Sequence, residues 1–196
     1  MKGDLEIYPL TAARWDDLAT LFGKSGAMMG CWCMFWRLTS AGFNATTGQE
    51  HREAFHALVE GGSVPGLLAY IDGQPAGWVS IAPRETHARL VASRTLKPVD
   101  EQPVWSIVCF FIGRKYRSQS IAAELLRAAV AYAGEQGAPA VEAYPPDTEH
   151  EKIPDTSAYM GTLDMFLDAG FHIVQRIEGK GNARPRCIVR YELPGR

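Results

Sequence analysis

The run Cys109-Phe-Phe-Ile-Gly-Arg-Lys-Tyr-Arg117-Ser-Gln-Ser-Ile-Ala122, with the amphipathic stretch after it, constrains the fold most. An apolar strand gives way to a short polar turn, and the turn opens directly into a helical pattern. Such an arrangement leaves unpaired backbone N–H groups at the positive end of a helix dipole, where an anion is stabilised. Arg117 lies in the turn and can add a planar, two-pronged phosphate contact. A cofactor carrying a diphosphate is the first expectation.

Around this unit, strand and helix patterns follow one another. Leu5–Leu10 reads as a strand, and Thr11 as the N-cap of a helix through Phe22, with Trp15, Leu18, Leu21 and Phe22 at helical spacing. Residues 23–46 read as irregular with one short helical piece, and a helix is expected over 47–59, stopped by Gly61-Gly62. Asp72-Gly73 between apolar runs at 66–71 and 74–82 marks a hairpin. A polar excursion over 83–103 leads to Trp105–Ile112, nearly continuous in apolar residues and so expected to be buried on both faces. The helix over 120–136 carries a wide apolar stripe, and the strand after it, 140–144, is parallel to the one before. A proline-bearing loop over 145–158, a helix over 159–169 closed by Gly170, and strands at 171–177 and 187–193 complete the chain. Neither a repeat nor a linker is visible, so a single domain over 1–196 is expected.

With 196 residues, 46% hydrophobic and 21% charged, the chain can build one well-buried core. A net charge of −2 gives no reason to expect nucleic acid as a partner. No apolar run approaches the roughly 20 residues a membrane helix needs, and the N-terminus lacks a signal-peptide core. A cytoplasmic protein without membrane association is expected. Cys31, Cys33, Cys109 and Cys187 read as structural thiols rather than a disulfide framework. Cys31-Trp-Cys33 lacks the paired spacing of a zinc site, and His51 and His56 do not complete one, so no metal is expected.

The element order resembles that of GNAT-superfamily N-acetyltransferases. Arg117-Ser-Gln-Ser120-Ile-Ala122 is similar to that family's Gln/Arg-x-x-Gly-x-Gly/Ala signature at its first and last places, and Met165-Phe-Leu-Asp-Ala-Gly-Phe171 to its late helix and Gly-Phe element. The resemblance implies an α+β fold layered α/β/α: a mixed, mostly antiparallel sheet of about seven strands, with a splayed parallel central pair and flanking helices. It implies acetyl-CoA as acyl donor, held by the backbones of Phe110 and Ile112 and by Arg117, Ser118, Gln119, Ser120, Ile121 and Ala122. It implies transfer to a primary amine of a small molecule by direct attack in a ternary complex. The region between the first two helices commonly lines the acceptor site in that family. Trp32, Phe35 and Trp36 are therefore candidate acceptor contacts, with packing of those helices onto the sheet as the equal alternative. Homodimers are common in the family, so a homodimer is admitted as a partner.

The match departs from the family at three positions. Ser120 stands at the middle glycine, where a positive φ would strain it or its hydroxyl would compensate by donating to phosphate. Phe166 stands where many relatives carry a proton-donating tyrosine, and Ser106 where a carboxylate base is usual. Glu142 or an ordered water is then the candidate base, with an exposed strand residue or an ion pair to an arginine as the alternative for Glu142, and Tyr159 is the candidate acid, with packing or cofactor contact as its alternative. The same losses fit a rival from another class, a non-catalytic acyl-CoA-binding sensor or regulatory module.

Overall fold

Alternation along β3 (Gln74–Pro83), from Gly77 onward, sends Val79 and Ile81 to one face of the sheet and Trp78 and Ser80 to the other. The computed structural model describes residues 3–147, 158–179, 181 and 184–194. Together with β1 (Leu5–Pro9), β2 (Gly66–Ile71), β4 (Trp105–Ile112), β5 (Ala140–Ala143), β6 (His172–Ile177) and β7 (Arg186–Glu192), β3 forms a sheet ordered β1-β2-β3-β4-β5-β7-β6. Only β4 and β5 are parallel, because the helix α5 (Ile121–Glu135) carries the chain from one to the other. This is the layered α+β arrangement, with a seven-stranded sheet and a central parallel pair, that the resemblance implies.

The face of Val79 and Ile81 is covered by α5 and by α6 (Leu163–Asp168), whose Leu125, Leu126, Ala129, Leu163 and Phe166 fill the main core. The opposite face carries α1 (Trp15–Phe22) and α3 (Gly48–Glu60), packed through Trp15, Leu18, Phe22, Phe55 and Val59 on Leu68, Tyr70 and Trp78. Two shorter helices, α2 (Ser40–Asn44) and α4 (Ala88–Val91), lie in the connections on either side of α3 and the β2–β3 hairpin. A reciprocal capping box starts α3: Thr47 Oγ1 accepts from the Glu50 N–H at 3.3 Å, and the Glu50 carboxylate accepts from the Thr47 N–H at 2.7 Å.

Three local expectations change. Thr11 makes no capping bond; a 3₁₀ turn over Ala12–Arg14 intervenes and α1 begins at Trp15. The helix expected over 159–169 is broken into a 3₁₀ turn, Ala158–Met160, and α6. Gly161 sits between them at φ +83°, and the Thr162 hydroxyl caps α6 through the Met165 N–H at 3.3 Å. The polar excursion over 83–103 contains α4, held by the Leu90 side chain, which is fully buried. Of the loop expected over 145–158, residues 148–157 lie outside the described residues.

Close approach of α5 to β3 depends on Gly77. A Cβ there would lie 3.0 Å from side-chain atoms of Ile112, Ile121 and Leu125. Gly77→Ala should therefore lift the first turns of α5 and destabilise the protein by about 1–3 kcal/mol, measured by urea unfolding.

Candidate active site

β4 and β5 part company after three paired positions. Trp105, Ser106 and Ile107 pair with Val141, Glu142 and Ala143, and there the ladder ends. The chain leaves β5 through Tyr144-Pro145-Pro146, and proline has no N–H to extend a ladder. β4 runs on through residues 108–112, still paired with β3 but bare on the side of β5. In the same stretch the β3–β4 register shifts: Ser80 opposes Cys109 and Ile81 opposes Ile107, so Val108 is an extra residue. The bulge sends Ile107 and Phe110 to the α5 face, and Val108 to the opposite face with Cys109 packed beside it.

Beyond β4 the chain passes Gly113 and a 3₁₀ turn, Arg114–Tyr116, into the loop that starts α5. Ser118 and Ser120 both adopt φ +61°, and Ser120, at ψ 12°, is the N-cap residue of α5. A left-handed residue followed by a right-handed one turns successive N–H groups into one concavity, an anion-binding nest. The N–H groups of Ser118, Gln119, Ser120, Ile121 and Ala122 have no acceptor among the described residues. Nor does the Ser120 side chain cap the helix, which leaves its hydroxyl open to a ligand. The strain foreseen for a non-glycine residue is therefore present, at a cost of about 1–2 kcal/mol for each left-handed serine.

On the face opposite α5, a pocket of about 360 Å³ opens beside the gap, and its walls include Phe35, Trp36, Arg89, Thr95, Tyr159 and Arg186. The structure brings Phe35 and Trp36 together here, edge to face at 5.4 Å. Trp32 lies elsewhere: it stacks on Trp15 at 6.0 Å and borders a separate hollow of about 620 Å³ between α1 and α3. Tyr159, on the 3₁₀ turn that packs against β4, reaches this pocket. Burial raises its pKa; Arg186 opposes the rise and Cys109 adds to it, so the hydroxyl lies within reach of both.

Glu142 is almost completely buried on the same face as the pocket and accepts from Arg190 at 2.7 and 3.1 Å. Tyr144 donates to its other oxygen at 3.1 Å, while the Tyr144 hydroxyl accepts from Arg84 at 2.7 Å and lies 2.8 Å from Ser106 Oγ. Arg190 also grips Asp100 in a fork, at 2.6 and 3.1 Å. This network locks the paired end of β4, β5 and β7.

Sequence reasoning did not foresee a second polar group beneath the pocket. Arg37 is buried and donates to the Pro65 carbonyl at 3.3 Å, while its Nε, both His87 ring nitrogens and Trp36 Nε1 have no partner among the described residues. Burial, reinforced by Arg37 and Arg84, pushes the His87 pKa down to about 3. Nearby, the Cys33 sulfur accepts from Trp78 Nε1 at 3.2 Å. A thiol hydrogen bond from Cys109 is the main cause that brings its pKa down to about 7 against burial, with Arg37, Trp78 and Ser80 assisting. No sequence motif joins these residues; they meet because β3, β4 and the 31–38 segment stack. No cluster of three metal-binding side chains occurs among the described residues, and none of their helices is long and apolar enough to cross a membrane.

A parted parallel pair, a bulge beside the parting and a nest at the following helix define an acetyltransferase of the GNAT type. Residues 32–153 match the model of the acetyltransferase (GNAT) family, and the chain belongs to that family. Its structure is similar to a putative acetyltransferase from Acinetobacter baylyi, with TM-score 0.60, 14% identity, and 100% of this chain and 97% of that one covered. It is also similar to yncA, a putative acetyltransferase from Salmonella typhimurium solved with acetyl-CoA, with TM-score 0.57, 10% identity and coverage of 98% and 95%. The paiA N-acetyltransferase of Thermoplasma acidophilum, solved with coenzyme A, matches with TM-score 0.53, 11% identity and coverage of 97% and 99%. No curated protein matches the sequence significantly.

Two outcomes follow from the buried groups. The unfolded chain protonates His87 near pH 6.5, whereas the folded one resists to about pH 3. Stability should thus fall as pH drops through that window, by up to about 1.4 kcal/mol per unit, and His87→Phe should flatten the slope between about pH 6.5 and 5 in thermal melts. Glu142→Gln should cost about 3 kcal/mol in urea unfolding, because Arg190 loses its buried carboxylate partner and keeps only exposed ones.

Proposed function

We propose that this chain is an acetyl-CoA-dependent N-acetyltransferase that acetylates the primary amine of a small molecule by direct attack within a ternary complex. One observation carries the reading: the bare edge of β4 over 108–112 leads straight into a loop whose N–H groups, over 118–122, lack acceptors. The backbones of Phe110 and Ile112 would pair with the pantetheine arm as an added strand. Arg117, Ser118, Gln119, Ser120, Ile121 and Ala122 would cradle the pyrophosphate, with the Ser120 hydroxyl replacing some of what a glycine there would offer.

Bound acetyl-CoA supplies an acyl thioester that is already activated toward amines. The protein's contribution is position and charge. A main-chain N–H at the bulge, near Phe110, is set to donate to an oxygen that gains charge during transfer. The Tyr159 hydroxyl, its pKa raised chiefly by burial, holds its proton and can donate it to a departing thiolate. The carboxylate of Glu142 is saturated by Arg190 and Tyr144, so we assign it to positioning and let the acceptor's ammonium proton leave through water in the pocket. Phe35 and Trp36 contact the acceptor, whereas Trp32 borders the separate hollow between α1 and α3. A cytoplasmic location completes the reading.

Isothermal titration should detect acetyl-CoA binding, and its absence at millimolar cofactor would overturn the proposal. Binding without thiol release on any amine would instead favour an acyl-CoA sensor. Ser120→Ala keeps the backbone strain and deletes the hydroxyl, and should weaken acetyl-CoA binding about tenfold by calorimetry. Tyr159→Phe should lower kcat about a hundredfold with acetyl-CoA affinity retained. Because the pKa of Tyr159 is raised, the wild-type rate should climb with pH as the acceptor amine deprotonates, without declining below about pH 10.

A further inference from the structure

We infer that the pocket beside the gap selects an amine that also carries an anionic group, a carboxylate or a phosphate, gripped between Arg89 and Arg186. The inference deepens the acetyltransferase reading and rests on it for the identity of the reacting amine; the anion site itself stands on geometry alone.

Each arginine is anchored to the pocket wall through part of its guanidinium: Arg186 through Nη1 alone, Arg89 through Nε and Nη1. Arg89 donates through Nε to the Phe35 carbonyl at 2.6 Å and through Nη1 to Ser40 Oγ at 3.0 Å. Its guanidinium carbon sits over Phe35, 3.9 Å from the ring centroid. Arg186 donates through Nη1 to the Tyr144 carbonyl at 3.0 Å and touches the Met160 sulfur at 2.8 Å. Among the described residues, Nη2 of Arg89 makes no further bond, and Arg186 has besides these contacts only the neighbouring Tyr159 hydroxyl.

Among the described residues neither arginine forms an ion pair, and those that line the pocket include no Asp or Glu. Other arginines of this protein are treated differently: Arg190 has Glu142 and Asp100, Arg127 has Glu124, and Arg176 has Asp147. Trp36, nine-tenths buried in the same wall, has an indole N–H without a partner, and the Tyr159 hydroxyl interacts electrostatically with both arginines. Deeper still, Arg37 and the unpaired nitrogens of His87 add positive and donor character without a carboxylate beside them. The Nε–Nη2 edge of Arg186, the Nη2 of Arg89 and an indole donor lining one hollow match an anion far better than a cation. The aromatic floor of Phe35 and Trp36 suits the carbon skeleton between that anion and the amine.

The test is calorimetric titration of the free and the coenzyme A-saturated protein with matched probes: glycine against glycinamide, L-phenylalanine against its amide, and phosphoethanolamine against ethanolamine. The anionic member of at least one pair should bind at least tenfold tighter, and the pair that responds separates carboxylate from phosphate. Arg186→Gln should reduce that preference to within threefold. Thr95→Asp removes no structural contact beyond a hydroxyl pairing with Ser93 and places a carboxylate in the pocket wall, so it should abolish the preference as well. Equal affinity within every pair, or a preference unchanged in both variants, overturns the inference. Failure of acetyl-CoA to bind is read in a separate titration, so loss of the acetyltransferase reading and loss of the anion site remain distinguishable.

Discussion

The forced separation of β4 from β5 governs everything else in this molecule. Two parallel strands joined by a helix would ordinarily pair along their whole length, but Pro145 and Pro146 remove the N–H groups that such a ladder needs. Above the last pair, Ile107 with Ala143, β4 keeps its partner on one side only. The bulge at Val108 then twists the bare strand, so its main chain faces the gap while Cys109 lies within electrostatic reach of Tyr159. The unpaired edge of β4, the bulge and the pocket wall are consequences of that one interruption.

The interruption is tolerable because the sheet is held closed below it. Arg190 uses three nitrogens on Glu142 and Asp100, and Tyr144 joins Glu142 to Ser106 on β4 and Arg84 at the end of β3. Buried charges of this sort add little net stability over an apolar packing, yet they fix register, which a three-residue parallel ladder cannot do unaided. The nest at Ser120 is held by packing instead. Left-handed serines are unfavourable on their own, and they persist here because Gly77 lets α5 seat firmly on β3.

Local chemistry made much of this legible from residues alone. Asp72-Gly73, the stripe on α5 and the apolar run of β4 each speak in a period or a turn signal that tertiary context did not override. Where reading went astray, a competing interaction explains it. Thr11 looked like a cap, but a 3₁₀ turn claimed the residues after it; Gly161, hidden in a helical pattern, broke the late helix through its positive φ. Trp32 and Trp36, four residues apart, were grouped by proximity. Left-handed φ at Trp32 and Cys33 turns the chain between them, so one indole goes to the α1–α3 layer and the other to the pocket. Arg89 and Arg186 lie almost a hundred positions apart and meet only through the sheet, which no spacing rule can anticipate.

The cluster of Arg190, Glu142, Asp100 and Tyr144 occupies the vertex of the wedge that β4 and β5 form. A vertex sets the aperture of its arms, and small rotations there are magnified at the mouth. Acyl-chain selectivity in this enzyme can therefore drift through substitutions at that distant fulcrum, leaving every residue that touches the thioester untouched.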